Sequence, residues 1–399
     1  MLDKKHFPVM LFLGFFLLYL YINFHNVRSD SYDAYPFGAD VPRYTAIFKY
    51  DKINSGKIAT RHPVPVYISI FYKRAFPSLE NVIGKDLYVK VPYAFFGALG
   101  VLVGFYLSKQ ILEDPFHVLA FTLIYGFSGS ILYFSSVPES YIITAFFSAL
   151  YIYTFLKYKD RISWKSILIL TLWYILSVLS EVLTAFLLVI PAVYFARDFI
   201  NNKRVRLSLL TFLITSIFLA YIFLNITMHA ISGDTLFSYY LAFKGDQSIS
   251  LLDILNELGE VVLNFFFFSV GYPSYAVTHP LAWEPTYIGF FRPTLWEYFK
   301  IKTATGFIIL YSILLTLYIK QAKTKNLLTF SLLAYIVLRA IAILFFNPWE
   351  SYLYVAPTVL PLLVILIGQF KDYSGKMTRY FLCLFLLALI VNNLMFFIV

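Results

Sequence analysis

The chain has 399 residues, of which 60% are hydrophobic, 14% charged and 20% aromatic. A soluble domain is nearer half apolar and a quarter charged, so this composition excludes an ordinary water-soluble globule. The net charge of +10 invites a nucleic-acid reading, but its distribution along the chain points to membrane orientation instead.

The apolar residues come in long runs with few charges, and a run of about 18 or more reads as a membrane span. The period-two alternation of a barrel strand is absent, so the spans are helical. The first run, 8–24, follows Lys4 and Lys5 without a small-residue cleavage site behind it, and reads as a retained helix rather than a signal peptide. In chain order the expected spans are 8–24, 90–108, 116–134, 140–156, 166–180, 182–196, 207–226, 304–319, 327–346, 352–370 and 380–398. The reading is therefore a single all-α polytopic membrane domain over 1–399, with about eleven spans. The stretch 166–196 is split in two because one helix would leave Glu181 bare in lipid.

Charge supports this arrangement. With the N-terminus cytoplasmic, the inner segments 1–7, 109–115, 157–165, 197–206, 320–326 and 371–379 hold 17 Lys and Arg. The short outer turns at 135–139, 181 and 347–351 hold none. That is the positive-inside pattern, and it makes nucleic acid an unnecessary partner. Two long outer segments remain, 25–89 and 227–303, each with amphipathic pieces suited to the interface, such as 66–76 and 251–270. The lone Cys383 allows no disulfide within the chain.

The acids sort by side: 16 of the 22 Asp and Glu fall outside. Asp30, Asp33, Asp40, Glu139, Glu181 and Glu350 lie at turns or helix ends, where a lone carboxylate needs a reason. Asp40 precedes Val41-Pro42 and also reads as a helix N-cap. Glu139 and Glu350 open spans, where the helix dipole favours them. They also stand beside Tyr141, and beside Asn347, Tyr352 and Tyr354, groups suited to sugar. Arg339 lies about two turns inside its span, where lipid phosphate and an internal pair with Glu181 are the competing partners. His62 is either a site residue or a plain loop histidine. Asp30 and Asp33 are either a turn or a divalent-cation pair, and two carboxylates are too few for a hard cation, so no cofactor is expected.

Four segments carry a resemblance: 38–48 with Asp40, Arg43 and Tyr44, then 62–67, then Pro138-Glu-Ser-Tyr141, then 347–354. Together they resemble the GT-C superfamily of lipid-dependent glycosyltransferases, which includes protein O-mannosyltransferases and the aminoarabinose transferases of lipid A. The sequence departs from the oligosaccharyltransferases in lacking their Glu-x-Asp motif, and it has no Asp-Glu pair at Asp40 and no large soluble domain after the last span.

The resemblance implies a polyprenyl-phosphate sugar donor and a glycan, lipid or protein acceptor. It implies an inverting hexosyl- or pentosyltransferase in the plasma (inner) membrane, acting on the non-cytoplasmic face. Asp40 is then the general base. Arg43, Tyr44, His62, Glu139, Tyr141, Glu181, Arg339, Asn347, Glu350, Tyr352 and Tyr354 are the expected substrate contacts, with Arg339 on the donor phosphate. A lipid or polysaccharide flippase, or a surface-glycan polymerase or ligase, is the alternative. A transporter would bring internal repeats and helices broken at mid-membrane, and the halves of this sequence show no repeat.

Overall fold

The structure is a computed structural model. It describes residues 5–26, 41–50, 62–160, 163–233, 235, 250–271, 276–279, 290–293, 302–321, 326–346, 348–372 and 375–398, with the backbone alone at some segment ends. The helices are α1 (Phe7–Asn26), α2 (Val41–Tyr50), α3 (Pro63–Ala75), α4 (Leu79–Ile83), α5 (Lys85–Ile111), α6 (Pro115–Phe127), α7 (Gly129–Ser136), α8 (Ser140–Tyr158) and α9 (Trp164–Ser180). Then come α10 (Val189–Tyr194), α11 (Ala196–Asn201), α12 (Lys203–Ser232), α13 (Leu251–Leu263), α14 (Lys302–Gln321), α15 (Leu327–Phe346), α16 (Ala356–Gly368) and α17 (Lys376–Ile398).

Each expected span coincides with helix, but not with one uniform helix. Among the described residues, five helices are long and apolar enough to cross a membrane: α5, α8, α12, α15 and α17. The pair α6–α7 makes a sixth if taken as one span; the other apolar helical segments are α1 and α14, 20 residues each, and the shorter α9, Val182–Tyr194 and α16. These apolar helices mark a membrane protein. Of the about eleven spans expected, five such helices, or six with the bent pair, are supported on length and composition.

Three local departures have physical causes. First, the span expected at 116–134 bends by 53° at Ser128. Ser128 is extended (φ −60°, ψ 140°), which releases backbone groups from the helical ladder. Those groups are met from elsewhere: Gly129 N–H donates to the Val270 carbonyl at 2.7 Å, and Asn393 donates to the Phe127 carbonyl at 2.6 Å. A broken helix persists in an apolar medium only with such substitutes. Second, the segment read as a span over 182–196 begins with a 3-10 helix, Val182–Leu188, before α10. Third, 352–370 does not start as an α-helix: a 3-10 helix, Pro348–Tyr354, precedes α16. Outside the helical expectation, Ala276–His279 and Phe290–Pro293 form a two-stranded antiparallel ribbon with Ala276 opposite Pro293.

Helix α5 is central, packing on α1, α6, α7 and α8, while α8 also packs on α9 and α16. One continuous apolar core joins them. Close approach uses missing side chains at Gly97 and Gly126, where a Cβ would collide with Ser135 and with the Phe15 ring respectively. On α13, α12 and α17 large apolar residues stay exposed, for example Leu251 at 72% and Leu387 at 59%. An exposed apolar rim of that kind is what lipid covers.

Candidate functional site

The site grows from the end of α9. Ser180 closes that helix, and Glu181 leaves it in an extended conformation (φ −164°, ψ 120°). A carboxylate at a helix C-terminus meets the negative end of the dipole, so it needs a cation. Arg339 supplies one: its Nη2 binds Glu181 Oε1 across 158 residues of sequence. Arg339 is 0% exposed and Glu181 2% exposed, so this is an ion pair inside the protein.

The guanidinium has a second duty. Its Nε and Nη2 donate to the Tyr354 carbonyl at 3.1 and 3.0 Å. That carbonyl ends the 3-10 helix just before α16. The Thr358 N–H that would serve it in a continuous α-helix goes instead to Val355, and Pro357 has no N–H to give. The arginine thereby fills a vacancy left by a change of helix type. The Tyr335 and Tyr141 phenols lie within electrostatic reach of the same guanidinium.

His62 joins at the same helix end. Its Nδ1 lies 2.6 Å from the Ser180 carbonyl. A carbonyl only accepts, so Nδ1 carries the hydrogen. This caps one of the carbonyls that every α-helix leaves unbonded at its C-terminus. The His62 ring stands edge-on to Tyr141, with ring centres 5.9 Å apart. Tyr141 in turn meets Tyr354 at 5.4 Å and Phe134 at 5.2 Å. Tyr352 continues the group through Phe134 at 6.1 Å.

Glu139 is the N-cap of α8, its Oε2 accepting from Ser140 N–H at 2.8 Å, and it is 1% exposed. Its charge is felt by the Tyr93 phenol, which also meets Ser69 at 3.3 Å. Tyr44 of α2 stacks edge-on against Tyr93, centres 6.3 Å apart. His62, Tyr141, Glu181, Arg339, Tyr352 and Tyr354 are thus joined in one polar and aromatic group. Tyr44 and Glu139 form a second set around Tyr93, with Glu139 two residues from Tyr141 along the chain. Elements from distant parts of the chain build both.

One expectation changes in this arrangement, and a second is located. Arg339 was expected at a lipid-facing surface against a phosphate; it is instead wholly buried on Glu181, the internal pairing the sequence also allowed. Tyr44 was expected as a substrate contact; it sits at 0% exposure in a small cluster with Ile47 and Val66. Asp40, Asn347, Asp30 and Asp33, and the side chains of Arg43 and Glu350, lie outside the described residues. No group of three or more metal-ligating side chains occurs among the described residues.

Sequence reasoning missed Tyr93 and Ser69, which only the fold brings beside Glu139. It also missed Asn264, whose signal was readable: one amide between Val261-Val262-Leu263 and Phe265–Phe268.

No protein-family model matches the sequence, and no curated protein matches it. Among solved structures, the oligosaccharyltransferase of Archaeoglobus fulgidus in its apo form is similar, with a TM-score of 0.56 and 15% identity. The same enzyme tethered to an acceptor peptide bearing the NVT sequon gives a TM-score of 0.52 and 14% identity. The alignments take in 99% of this chain but only 56% and 55% of those chains, so this chain spans about half their length. At this identity the likeness is one of fold alone.

Proposed function

We propose that the chain is a GT-C-type membrane glycosyltransferase that moves a sugar from a polyprenyl-phosphate donor to an acceptor hydroxyl on the non-cytoplasmic face. The observation that carries this is the connected group above. His62, Tyr141, Tyr352 and Tyr354, from three of the four resemblance segments, meet in a bundle with the fold of a known glycosyltransferase.

The chemistry follows from the residue types. The acceptor oxygen attacks the anomeric carbon, a new C–O bond forms, and the bond from that carbon to the phosphate oxygen breaks. Its electron pair leaves with the lipid phosphate. The hydroxyl proton needs a carboxylate to receive it, and Asp40 is that base. Single displacement inverts the anomeric centre. The leaving phosphate needs a cation, and Arg43, three residues after Asp40 in the sequence, takes that role in place of the buried Arg339. Arg339 and Glu181 hold the wall of the site, while the Tyr141, Tyr352 and Tyr354 rings give sugar an aromatic surface. The acceptor is a glycan, a lipid or a protein.

The charge bias of the loops supports a cytoplasmic N-terminus in a plasma (inner) membrane, with this site on the other face. A transporter would use a broken helix to present free backbone groups to cargo. At the α6–α7 break, Gly129 N–H and the Phe127 carbonyl are instead taken by Val270 and Asn393. That favours the enzyme. Purified protein given short-chain polyprenyl-phosphate sugars and an acceptor mixture tests the reading. Release of polyprenyl phosphate coupled to sugar transfer is expected; hydrolysis-free inertness across donors and acceptors would count against it.

A further inference from the structure

We infer that Asn264 is a positioning residue for this site, acting through Ser351 on the 3-10 helix that carries Glu350, Tyr352 and Tyr354; the catalytic half of the inference rests on the transferase reading above.

Asn264 opens a π-helical turn, Asn264–Phe268, at the end of α13. Its Nδ2 donates to Ser351 Oγ at 2.7 Å, 87 residues away in sequence. Both side chains are buried, at 1% and 0% exposure. The Asn264 Oδ1 has no hydrogen-bond partner among the described residues. A buried carboxamide with one half unpaired is costly, and an aliphatic residue of that size would avoid the cost. What the amide supplies in return is the one bond to Ser351. π-Helical turns are themselves unfavourable insertions that concentrate at functional sites.

The receiving element needs such a bond. A 3-10 helix has poorer internal hydrogen bonding than an α-helix, so its outside contacts set its position. On one side of Pro348–Tyr354 the Tyr354 carbonyl is gripped by Arg339. On the other, Ser351 is gripped by Asn264. The π-turn that holds Asn264 is itself anchored. Asn393 donates to the Val270 carbonyl at 2.9 Å, Ser130 Oγ donates to the Ser269 carbonyl at 2.8 Å, and Tyr311 donates to the Phe266 carbonyl. Asn264 thus links an anchored segment to the element that carries two rings of the aromatic wall, Tyr352 and Tyr354.

The test uses the full chain with Asn264→Ala, Ser351→Ala, the double variant, and Ser351→Thr, which keeps the hydroxyl. Losing one buried hydrogen bond to the site should lower kcat about tenfold in each single alanine variant, with donor KM within about twofold. The double variant should be no worse than either single, because both remove the same link. Ser351→Thr should restore most of kcat. A second readout needs no catalysis: 5-fluorotryptophan in Trp349, assigned with Trp349→Phe, should shift or broaden in both alanine variants and return in Ser351→Thr. Unchanged fluorine resonances in well-folded Asn264→Ala would overturn the inference, as would additive losses in the double variant. A moved resonance with no transferase activity even in the parent chain would leave Asn264 as the holder of this turn and would sink the transferase reading alone.

Discussion

Glu181 and Arg339 face each other inside the bundle, the carboxylate closing α9 and the guanidinium projecting from the middle of α15. Each explains the other: the carboxylate stands at the wrong end of a helix dipole, and the guanidinium stands at a depth where an unpaired charge is costly. Removing one partner of such a pair leaves an uncompensated buried charge, at about 3–5 kcal/mol. Glu181→Gln should therefore lower thermal stability in detergent by that order. The joint change Glu181→Leu with Arg339→Met should recover only part of it, because the Tyr354 carbonyl then loses its donors. A Glu181→Gln protein with the parent melting temperature would show that the pair carries no such strain.

His62 gives a prediction about shape. The carboxamide nitrogen of asparagine occupies nearly the position of imidazole Nδ1, whereas that of glutamine lies nearer Nε2. Since Nδ1–H is the donor to the Ser180 carbonyl, His62→Asn should keep the cap on α9. His62→Gln should lose it, at a cost of about 1 kcal/mol. Melting temperatures of the two variants, measured side by side, decide this; equal losses would place the contact elsewhere on the ring.

Asp114 gives a pH dependence at the opposite end of the bundle, outside the helices that cross. Burial pushes its carboxyl up, but Phe116 N–H and Arg379 outweigh that, with His117 nearby, and hold it below the usual carboxylate range. Arg379 donates to Oδ2 at 3.1 and 3.0 Å, joining α6 to α17. A depressed folded-state value means the stabilisation is complete above the unfolded pKa, about 3.9. It is lost as pH falls through the folded value. Asp114→Asn should flatten the acid limb of the melting-temperature profile below about pH 4 and leave neutral pH less stable. An unchanged acid limb would contradict the assignment.

Much of the fold was legible because hydropathy and loop charge act over whole segments. The segments 327–346 and 140–156 were read almost to the residue, and Glu181 alone was enough to split 166–196. The bend at Ser128 was not legible, because what makes it tolerable is Val270 and Asn393, far along the chain. For the same reason the pairing of Tyr44 with Tyr93 was not legible: only the fold brings α2 beside α5 there. Arg339 was open between lipid phosphate and Glu181, since depth in a span is readable but the facing helix is not.

The proposed orientation has its own test. With Cys383 replaced by serine, a cysteine at Lys203, the first residue of α12, should react with an impermeant maleimide only from the cytoplasmic side of sealed vesicles. Labelling from the outer side would invert every loop and move the site to the wrong face.

The central claim is tested most directly by one comparison: release of polyprenyl phosphate from a short-chain polyprenyl-phosphate sugar, by the parent chain and by Asp40→Asn. General-base contributions are on the order of 10² to 10⁴ in rate. The parent should release lipid phosphate with sugar transfer, and Asp40→Asn should fall by that factor while still binding donor. Undiminished release by a well-folded Asp40→Asn protein, or none from the parent with any donor, would contradict the account.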